Sequence, residues 1–309
     1  MRQPGIIVRK GSGTILREFV EERATPYDSA MRVLITGAAG KVGSRLTKRL
    51  AVRGDQVRAL VRDPGRAAEL QGRNVEIVRG DLLDYGSLDA AVEGVDAVVH
   101  CAALFFPGPA SEQGHAVNEL GTQRLAELAR AVGVKRFVFL STGLVYGGNG
   151  GRLAREDDAC APPPGYFASK LAIERALLAV DGLDVRILRL GFVYGDGDPH
   201  IEEIVPRMRG FAPRQRISIV HHADVAQAVA LVLDAPSPAH RIYNVAGDEA
   251  PDLATLFASV GAPPPDGSAE EAARADDVLL DGRRLREDLG FKPEYPRLPD
   301  ARLDRSISG

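Results

Sequence analysis

The segment Met31-Arg-Val-Leu-Ile-Thr-Gly-Ala-Ala-Gly-Lys-Val-Gly43 carries a short apolar run directly into three evenly spaced glycines. A helical stretch, residues 44–53, follows and stops at Gly54. Between a strand and a helix, glycines without Cβ atoms let a pyrophosphate approach the backbone at the helix N-terminus. A tight turn without a ligand is the alternative. The segment predicts a dinucleotide-binding turn made of Gly37, Ala39, Gly40, Lys41, Val42 and Gly43.

Short apolar runs alternate with helical stretches along the first two thirds of the chain. They lie at residues 33–35, 57–61, 75–78, 97–99, 137–140 and 185–190. The runs contain few polar residues, which is typical of parallel strands covered by helices on both faces. The alternation predicts an α/β protein with a Rossmann-like, doubly wound parallel sheet.

The pattern divides the chain into three regions. Residues 1–30 are polar and predict a poorly ordered N-terminal extension, and residues 31–195 predict the dinucleotide-binding Rossmann domain. Beyond Tyr194 the apolar pattern loosens and prolines cluster, so residues 196–309 predict a smaller C-terminal substrate-binding lobe. Part of it, about 221–245, is expected to return to the Rossmann domain. Asp224 is expected to cap an apolar helix that runs to Leu233.

Composition narrows the function classes. The 309 residues include 39 Lys plus Arg and 42 Asp plus Glu, a net charge of -3, so we expect no nucleic-acid partner. Cys101 and Cys160 stand far apart and outside metal-ligand spacing, which suits a reducing compartment and predicts no metal site. No apolar run is long enough to cross a bilayer and the N-terminus lacks a signal-peptide core, so we expect a cytoplasmic protein without a membrane partner.

Arg62 indicates which dinucleotide is bound. An enzyme that uses NAD usually places a carboxylate at the end of the second strand, where it binds the ribose 2′-hydroxyl. Here Val61 occupies that place and Arg62 follows it, and a guanidinium suits a 2′-phosphate. NADP is therefore favoured over NAD, although Asp63 is adjacent. Asp81, which follows the third strand, either accepts a hydrogen bond from adenine or caps a turn.

Tyr166 and Lys170 form the candidate catalytic pair. Their i, i+4 spacing places the phenol and the ammonium on one helix face. A nearby cation lowers the pKa of a phenol, so Lys170 and an oxidised nicotinamide are together expected to activate Tyr166 for proton transfer at a substrate hydroxyl or carbonyl. Thr142 or Ser141, at the end of the strand at 137–140, is expected to hold the substrate oxygen. The alternative for Tyr166 and Lys170 is an exposed helix pair without a catalytic role. The alternative for Ser141 and Thr142 is an ordinary turn.

Taken together, these motifs resemble a known family. The order of Thr36-Gly-x-x-Gly-x-x-Gly43, Asp81, His100-Cys-Ala-Ala103, Ser141-Thr-Gly143 and Tyr166-x-x-Ser-Lys170 is similar to that of the extended short-chain dehydrogenases/reductases. The NAD-dependent epimerase/dehydratase group is the nearest match. The likeness begins at Met31 and extends into the C-terminal segment.

The resemblance implies roles for individual residues. Thr142, Tyr166 and Lys170 would be the catalytic triad, and Lys170 would also hold the nicotinamide ribose. Adenine would lie against Asp81 and Leu82, and the cofactor groove would be lined by Ala102 and Ala103. Substrate contacts are expected from Ser141, Gly143 and Arg216. Family members commonly dimerise through two helices, which implies a homodimer.

Some features depart from the family pattern. Arg216 lies one residue from the usual position of an arginine that binds a substrate diphosphate, so a nucleotide-sugar substrate is in doubt. His221 and His222 lack a third ligand and are expected to be structural. Three functions remain open: an epimerase or dehydratase, with a sugar nucleotide as one candidate substrate; an NADPH-dependent carbonyl or alcohol oxidoreductase acting on a small molecule; and a non-catalytic NADP-sensing regulator.

Overall fold

The main sheet has the predicted Rossmann-like, doubly wound α/β architecture. A computed structural model describes residues 30–105, 112–236, 239–268 and 276–298. Its strands are β1 (Arg32–Thr36), β2 (Gln56–Val61), β3 (Val75–Arg79), β4 (Ala97–His100), β5 (Arg136–Thr142), β6 (Val185–Leu190), β7 (Phe192–Tyr194), β8 (Ile219–His221) and β9 (Ile242–Val245). Seven strands form one parallel sheet in the order β3-β2-β1-β4-β5-β6-β9. The fold prediction is confirmed. The expected N-terminal extension lies outside the described residues except for Ala30.

Helices cover both faces of this sheet. In chain order, the helices of the described residues are α1 (Lys41–Arg53), α2 (Tyr85–Val92), α3 (Glu112–His115), α4 (Gly121–Ala131), α5 (Tyr166–Leu178), α6 (His200–Ile204), α7 (His222–Asp234), α8 (Leu253–Ser259) and α9 (Arg283–Leu289), of which α6 and α8 belong to the smaller lobe. A π-helical turn, Ala116–Leu120, joins α3 to α4. Helix α1 ends where the sequence indicates, because Gly54 adopts a φ of 110° that favours glycine.

The core forms two layers, one on each face of the sheet. In β1, Val33 and Ile35 belong to the layer that includes α1 and α7, and Leu34 belongs to the opposite layer with α4 and α5. All three side chains are fully buried. This two-sided burial explains why the strands are apolar at consecutive positions.

The C-terminal region contributes to both lobes. A two-stranded sheet, β7 with β8, and a separate apolar cluster around Leu253, Leu256 and Phe257 form the smaller lobe. The strand β9 returns to the main sheet beside β6, and α7 packs against α1. The smaller lobe therefore stands beside the carboxyl ends of β5 and β6.

The expected cap of α7 is wrong by three residues. His221 is the N-cap, and its ring accepts a hydrogen bond from the backbone N–H of Ala223 (3.1 Å). Asp224 lies within the first turn and accepts hydrogen bonds from the backbone of Glu294 (2.6 Å) and Tyr295 (3.2 Å). Tertiary contacts with a distant segment therefore claim the carboxylate that sequence spacing assigns to the helix end.

A buried ion pair connects α5 to β6. The guanidinium of Arg189 contacts the carboxylate of Glu174 at 2.6 Å, and the two side chains are 4% and 1% exposed. Arg189 also donates to the hydroxyl of Tyr146 (2.8 Å), which in turn donates to Asn244 on β9 (2.8 Å). These contacts fix α5 against the end of the sheet.

Arg189→Leu is expected to destabilise the protein by about 3–5 kcal/mol, because it leaves the Glu174 carboxylate buried without its counter-ion. Urea unfolding measures the loss. The control is Arg32→Leu, which removes an ion pair that is 4.0 Å long with an arginine side chain 64% exposed. That change is expected to cost at most about 1 kcal/mol. Equal losses in the two variants would contradict a stabilising role for the buried pair.

Candidate functional site

The glycine turn brings backbone closely against backbone. Gly37 has a φ of +67°, and a Cβ atom there would lie 2.7 Å from the Cα of Ala102. A Cβ atom on Gly43 would lie 2.2 Å from the carbonyl oxygen of Gly37. Helix α1 starts at Gly40 without a side-chain cap and has no acidic residue in its first turn. The N–H groups of the helix start are thus available to an anion, which fits a pyrophosphate.

A buried histidine ties this turn to the neighbouring elements. His100 Nδ1 lies 2.7 Å from the Thr36 hydroxyl, and Nε2 lies 2.8 Å from the Thr122 hydroxyl. Burial, assisted by the charge of Lys170, lowers the pKa of His100 to about 3. The imidazole is therefore neutral and bridges β1, β4 and α4. No role for His100 follows from the sequence motifs alone, although a histidine that closes an apolar strand is a visible signal.

Arg62 stands at the expected end of β2. It directly follows that strand and is exposed. Its neighbour Asp63 caps the 3-10 helix Pro64–Leu70 and accepts a hydrogen bond from the backbone of Gly65 (2.9 Å). The carboxylate that would compete for the ribose is thus occupied by the local turn, whereas the guanidinium projects into solvent.

The predicted adenine contacts occupy the loop after β3. The carboxylate of Asp81 accepts a hydrogen bond from the backbone of Leu83 (2.9 Å) and thus caps the turn, and its expected contact with adenine stays a prediction. Leu82 is buried, and its Cβ would lie 2.8 Å from a Cβ placed on Gly121. Ala102 is partly buried and Ala103 is exposed beyond β4. Their contacts with a cofactor stay predictions.

Thr142 ends β5, and Tyr166 and Lys170 lie on α5, which packs against that strand. The ammonium of Lys170 donates to the backbone oxygen of Leu140 (2.9 Å) and lies 4.3 Å from the ring centroid of Phe139. Tyr166 begins α5 one turn earlier. The hydroxyl of Thr142 accepts a hydrogen bond from the backbone of Leu144 (3.2 Å), which leaves its own proton for another acceptor. The end of the sheet therefore carries all three predicted catalytic side chains.

Burial dominates the electrostatics of the pair. Burial raises the pKa of Tyr166 to about 12, and burial lowers the pKa of Lys170 to about 8 against the opposing effects of Cys101 and Glu174. Among the chain's own residues burial therefore sets the direction of the Tyr166 pKa, and the expected lowering by Lys170 together with an oxidised nicotinamide stays a prediction. The ammonium is bound to the Leu140 carbonyl and lies 5.8 Å from the Tyr166 ring centroid, so loss of solvent dominates the phenol.

Three predicted substrate contacts have other partners. The hydroxyl of Ser141 donates to the buried carboxylate of Glu174. A Cβ atom on Gly143 would lie 2.7 Å from the side chain of Leu280. Arg216 binds Asp277, with Nη2 and Nε at 3.1 Å and 3.2 Å from the same carboxylate oxygen. Substrate roles for these residues stay predictions that the geometry does not favour.

Lys41 connects the glycine turn to the smaller lobe, which the sequence analysis did not anticipate. Its ammonium lies 3.5 Å from Asp198 and also forms an ion pair with Glu203. Asp198 in turn contacts His222 Nε2 at 2.9 Å, with both side chains 1% exposed. His221 caps α7, so each histidine of the pair makes structural contacts. Local spacing gives no signal for the ion pair between Lys41 and Glu203, because the two residues are 162 positions apart in the sequence.

The fold and the turn define a dinucleotide-binding protein of the Rossmann type, and comparisons with known proteins agree. The profile of the NAD dependent epimerase/dehydratase family matches residues 33–246. Sterol demethylase protein B of Methylococcus capsulatus is 33% identical over 232 residues, covering 71% of this chain and 70% of that protein. The 3-diazoavenalumate denitrifying reductase of a Streptomyces species is 31% identical over 305 residues, covering 87% and 98%.

A solved structure is similar over most of its length. It is the Thermus thermophilus UDP-glucose 4-epimerase in complex with NAD, with a TM-score of 0.69 and 29% identity over 85% of this chain and 94% of that one. Matches to several other curated relatives cover only 64% or 58% of those proteins.

The chain belongs to the NAD-dependent epimerase/dehydratase family. It is an enzyme of the extended short-chain dehydrogenase/reductase type that uses a nicotinamide dinucleotide. In the described part of the chain, no helix is both long and apolar enough to span a bilayer.

Gly43→Ala is expected to weaken binding of the reduced nicotinamide dinucleotide roughly tenfold or more, because the added methyl would collide with backbone and displace the turn. Fluorescence titration with NADH and NADPH measures the affinity. Gly86→Ala is the matched control, since a Cβ atom there would have its nearest neighbour at 3.7 Å. Unchanged affinity in the Gly43 variant would show that the dinucleotide binds elsewhere.

Proposed function

We propose that the protein is an NADPH-dependent oxidoreductase that interconverts a carbonyl and an alcohol on a small molecule. The observation that carries this proposal is the hydrogen bond from Lys170 to the Leu140 carbonyl. This hydrogen bond holds α5 so that its first residue, Tyr166, lies beside the end of β5, where Thr142 also lies. Proton donors thus meet at the sheet edge where ligands of such folds bind.

The chain's own residues account for the proton and for substrate orientation. Thr142 donates a hydrogen bond that holds the carbonyl oxygen, and Tyr166 then gives its proton to that oxygen. A pKa near 12 keeps Tyr166 protonated at neutral pH, which suits an acid in the reductive direction. Lys170 provides the nearby positive charge that stabilises the phenolate left behind. The reduced nicotinamide, when bound, supplies the hydride to the carbonyl carbon.

The ion pair between Arg216 and Asp277 favours an oxidoreductase over a nucleotide-sugar epimerase or dehydratase. Arg216 is the residue nearest the position at which family members bind a substrate diphosphate. Its positive charge is already paired with the carboxylate of Asp277. The relatives include both a reductase and an epimerase, so family membership alone does not decide between these reactions. A reductase consumes one NADPH for each product molecule, whereas an epimerase restores its cofactor.

Tyr166→Phe is expected to reduce turnover by roughly a hundredfold or more while NADPH affinity stays unchanged, because the ring remains and only the proton donor is lost. NADPH absorbance with a panel of small ketones and sugar nucleotides measures turnover. Tyr85→Phe, at an exposed tyrosine, is the control. Full activity in the Tyr166 variant would remove the assigned acid. Activity on a sugar nucleotide without NADPH loss would establish the epimerase instead.

Arg62 supports a preference for NADP over NAD. The residue is exposed at the end of β2, and the adjacent carboxylate of Asp63 is occupied by its own turn. A planar guanidinium binds two oxygens of a phosphate, which NAD lacks at the ribose 2′ position.

Arg62→Gln is expected to weaken NADPH binding about tenfold and leave NADH binding unchanged, because only the 2′-phosphate contact is lost. Fluorescence titration with both reduced cofactors measures the ratio of affinities. Arg66→Gln, at an exposed arginine of the adjoining 3-10 helix, is the control. A parallel loss of NADH affinity would indicate a general rather than a phosphate-specific contact.

We also propose a homodimer formed through α4 and α5, as the family resemblance implies.

The two cysteines, Cys101 and Cys160, are both unpaired, which supports a reducing, cytoplasmic setting.

A further inference from the structure

Phe105 and Arg207 face each other across the cleft between the two lobes. Phe105 follows β4 in the Rossmann domain, and its ring is 50% exposed. Arg207 ends the 3-10 helix Val205–Arg207 in the smaller lobe. The guanidinium carbon lies 6.0 Å from the Phe105 ring centroid. A cation and an apolar ring from opposite lobes therefore meet at the cleft.

This pair adjoins the candidate catalytic tyrosine. The Phe105 ring stands edge-on to the Tyr166 ring, with the centroids 5.1 Å apart and the planes at 75°. A flat apolar group resting on Phe105 would thus lie next to the phenol.

The environment of Arg207 distinguishes it from the other arginines near the cleft. Arg216 binds Asp277, and Arg49 binds Asp196. In the ranges that the structure describes, Arg207 contacts the Phe105 ring and forms no ion pair. An exposed cation–π contact is weaker than a charge-assisted, bidentate hydrogen bond, so a carboxylate would readily take the guanidinium from the ring.

The backbone that carries Arg207 is held in place. Its neighbours Val205 and Met208 are buried, at 8% and 9% exposure, in the apolar cluster that includes Leu256. The arginine side chain therefore extends from a fixed position, which makes a directed contact with a ligand less costly in entropy.

We propose that Phe105 and Arg207 form a substrate subsite that selects carbonyl compounds bearing a carboxylate on a flat, apolar skeleton. The inference rests on the proposed oxidoreductase function and names its substrate class. The apolar skeleton lies on Phe105, the guanidinium binds the carboxylate through two parallel hydrogen bonds, and the carbonyl reaches Tyr166. Arg207 thus replaces Arg216 as the cation that recognises the substrate's anionic group.

The test uses 4-acetylbenzoate and its methyl ester, which differ in charge but share the ketone and the ring. With the full chain and NADPH, we expect the wild type to show a lower KM for the acid than for the ester. Arg207→Gln is expected to raise the KM for the acid about tenfold, with kcat and the ester's KM nearly unchanged. Arg209→Gln, an exposed arginine two residues away, is the matched control and should change neither.

Binding is measured separately by saturation-transfer NMR with the same two compounds in the presence of NADP. Carboxylate-selective binding that is lost in Arg207→Gln, without turnover by the wild type, would support the subsite and overturn the proposed reduction. Turnover that does not distinguish Arg207→Gln from Arg209→Gln would overturn the subsite and retain the oxidoreductase. Absence of acid binding, or equal binding of acid and ester, would also overturn the subsite.

Discussion

The buried contact between Arg189 and Glu174 fixes the helix that carries the candidate catalytic residues. Two charges removed from water are stable only with close geometry and further hydrogen bonds, and Ser141 and Tyr146 supply them. Glu174 lies one turn beyond Lys170 on α5. The same contact that joins helix to strand therefore sets how far Lys170 extends over the end of β5.

Burial acts in opposite directions on the two members of the catalytic pair. It raises the pKa of Tyr166 and lowers that of Lys170, because each neutral form is favoured when water is removed. The phenol is thus a proton donor at rest and needs additional positive charge to become a base. An oxidised nicotinamide, when bound, would supply such charge next to Tyr166.

Two kinds of contact join the Rossmann domain to the smaller lobe. One is a set of ion pairs, and the other is a contact between a cation and an aromatic ring. Lys41, in the glycine turn, pairs with Asp198 and Glu203 of the smaller lobe. Arg207 of the smaller lobe approaches the ring of Phe105, and within the described residues Arg207 forms no ion pair. The charged contacts thus involve the glycine turn, whereas the contact between Arg207 and Phe105 lies beside Tyr166.

The sequence by itself determined the parallel sheet, the glycine turn and the position of Tyr166 and Lys170, because these depend on local periodicity and spacing. Tertiary structure decided the partners of Asp224, Arg216 and Lys41, since each binds a residue distant in sequence. It also decided the pKa of Tyr166. Spacing predicts that two side chains share a helix face, but only packing determines how much water reaches them and which acceptor holds the ammonium.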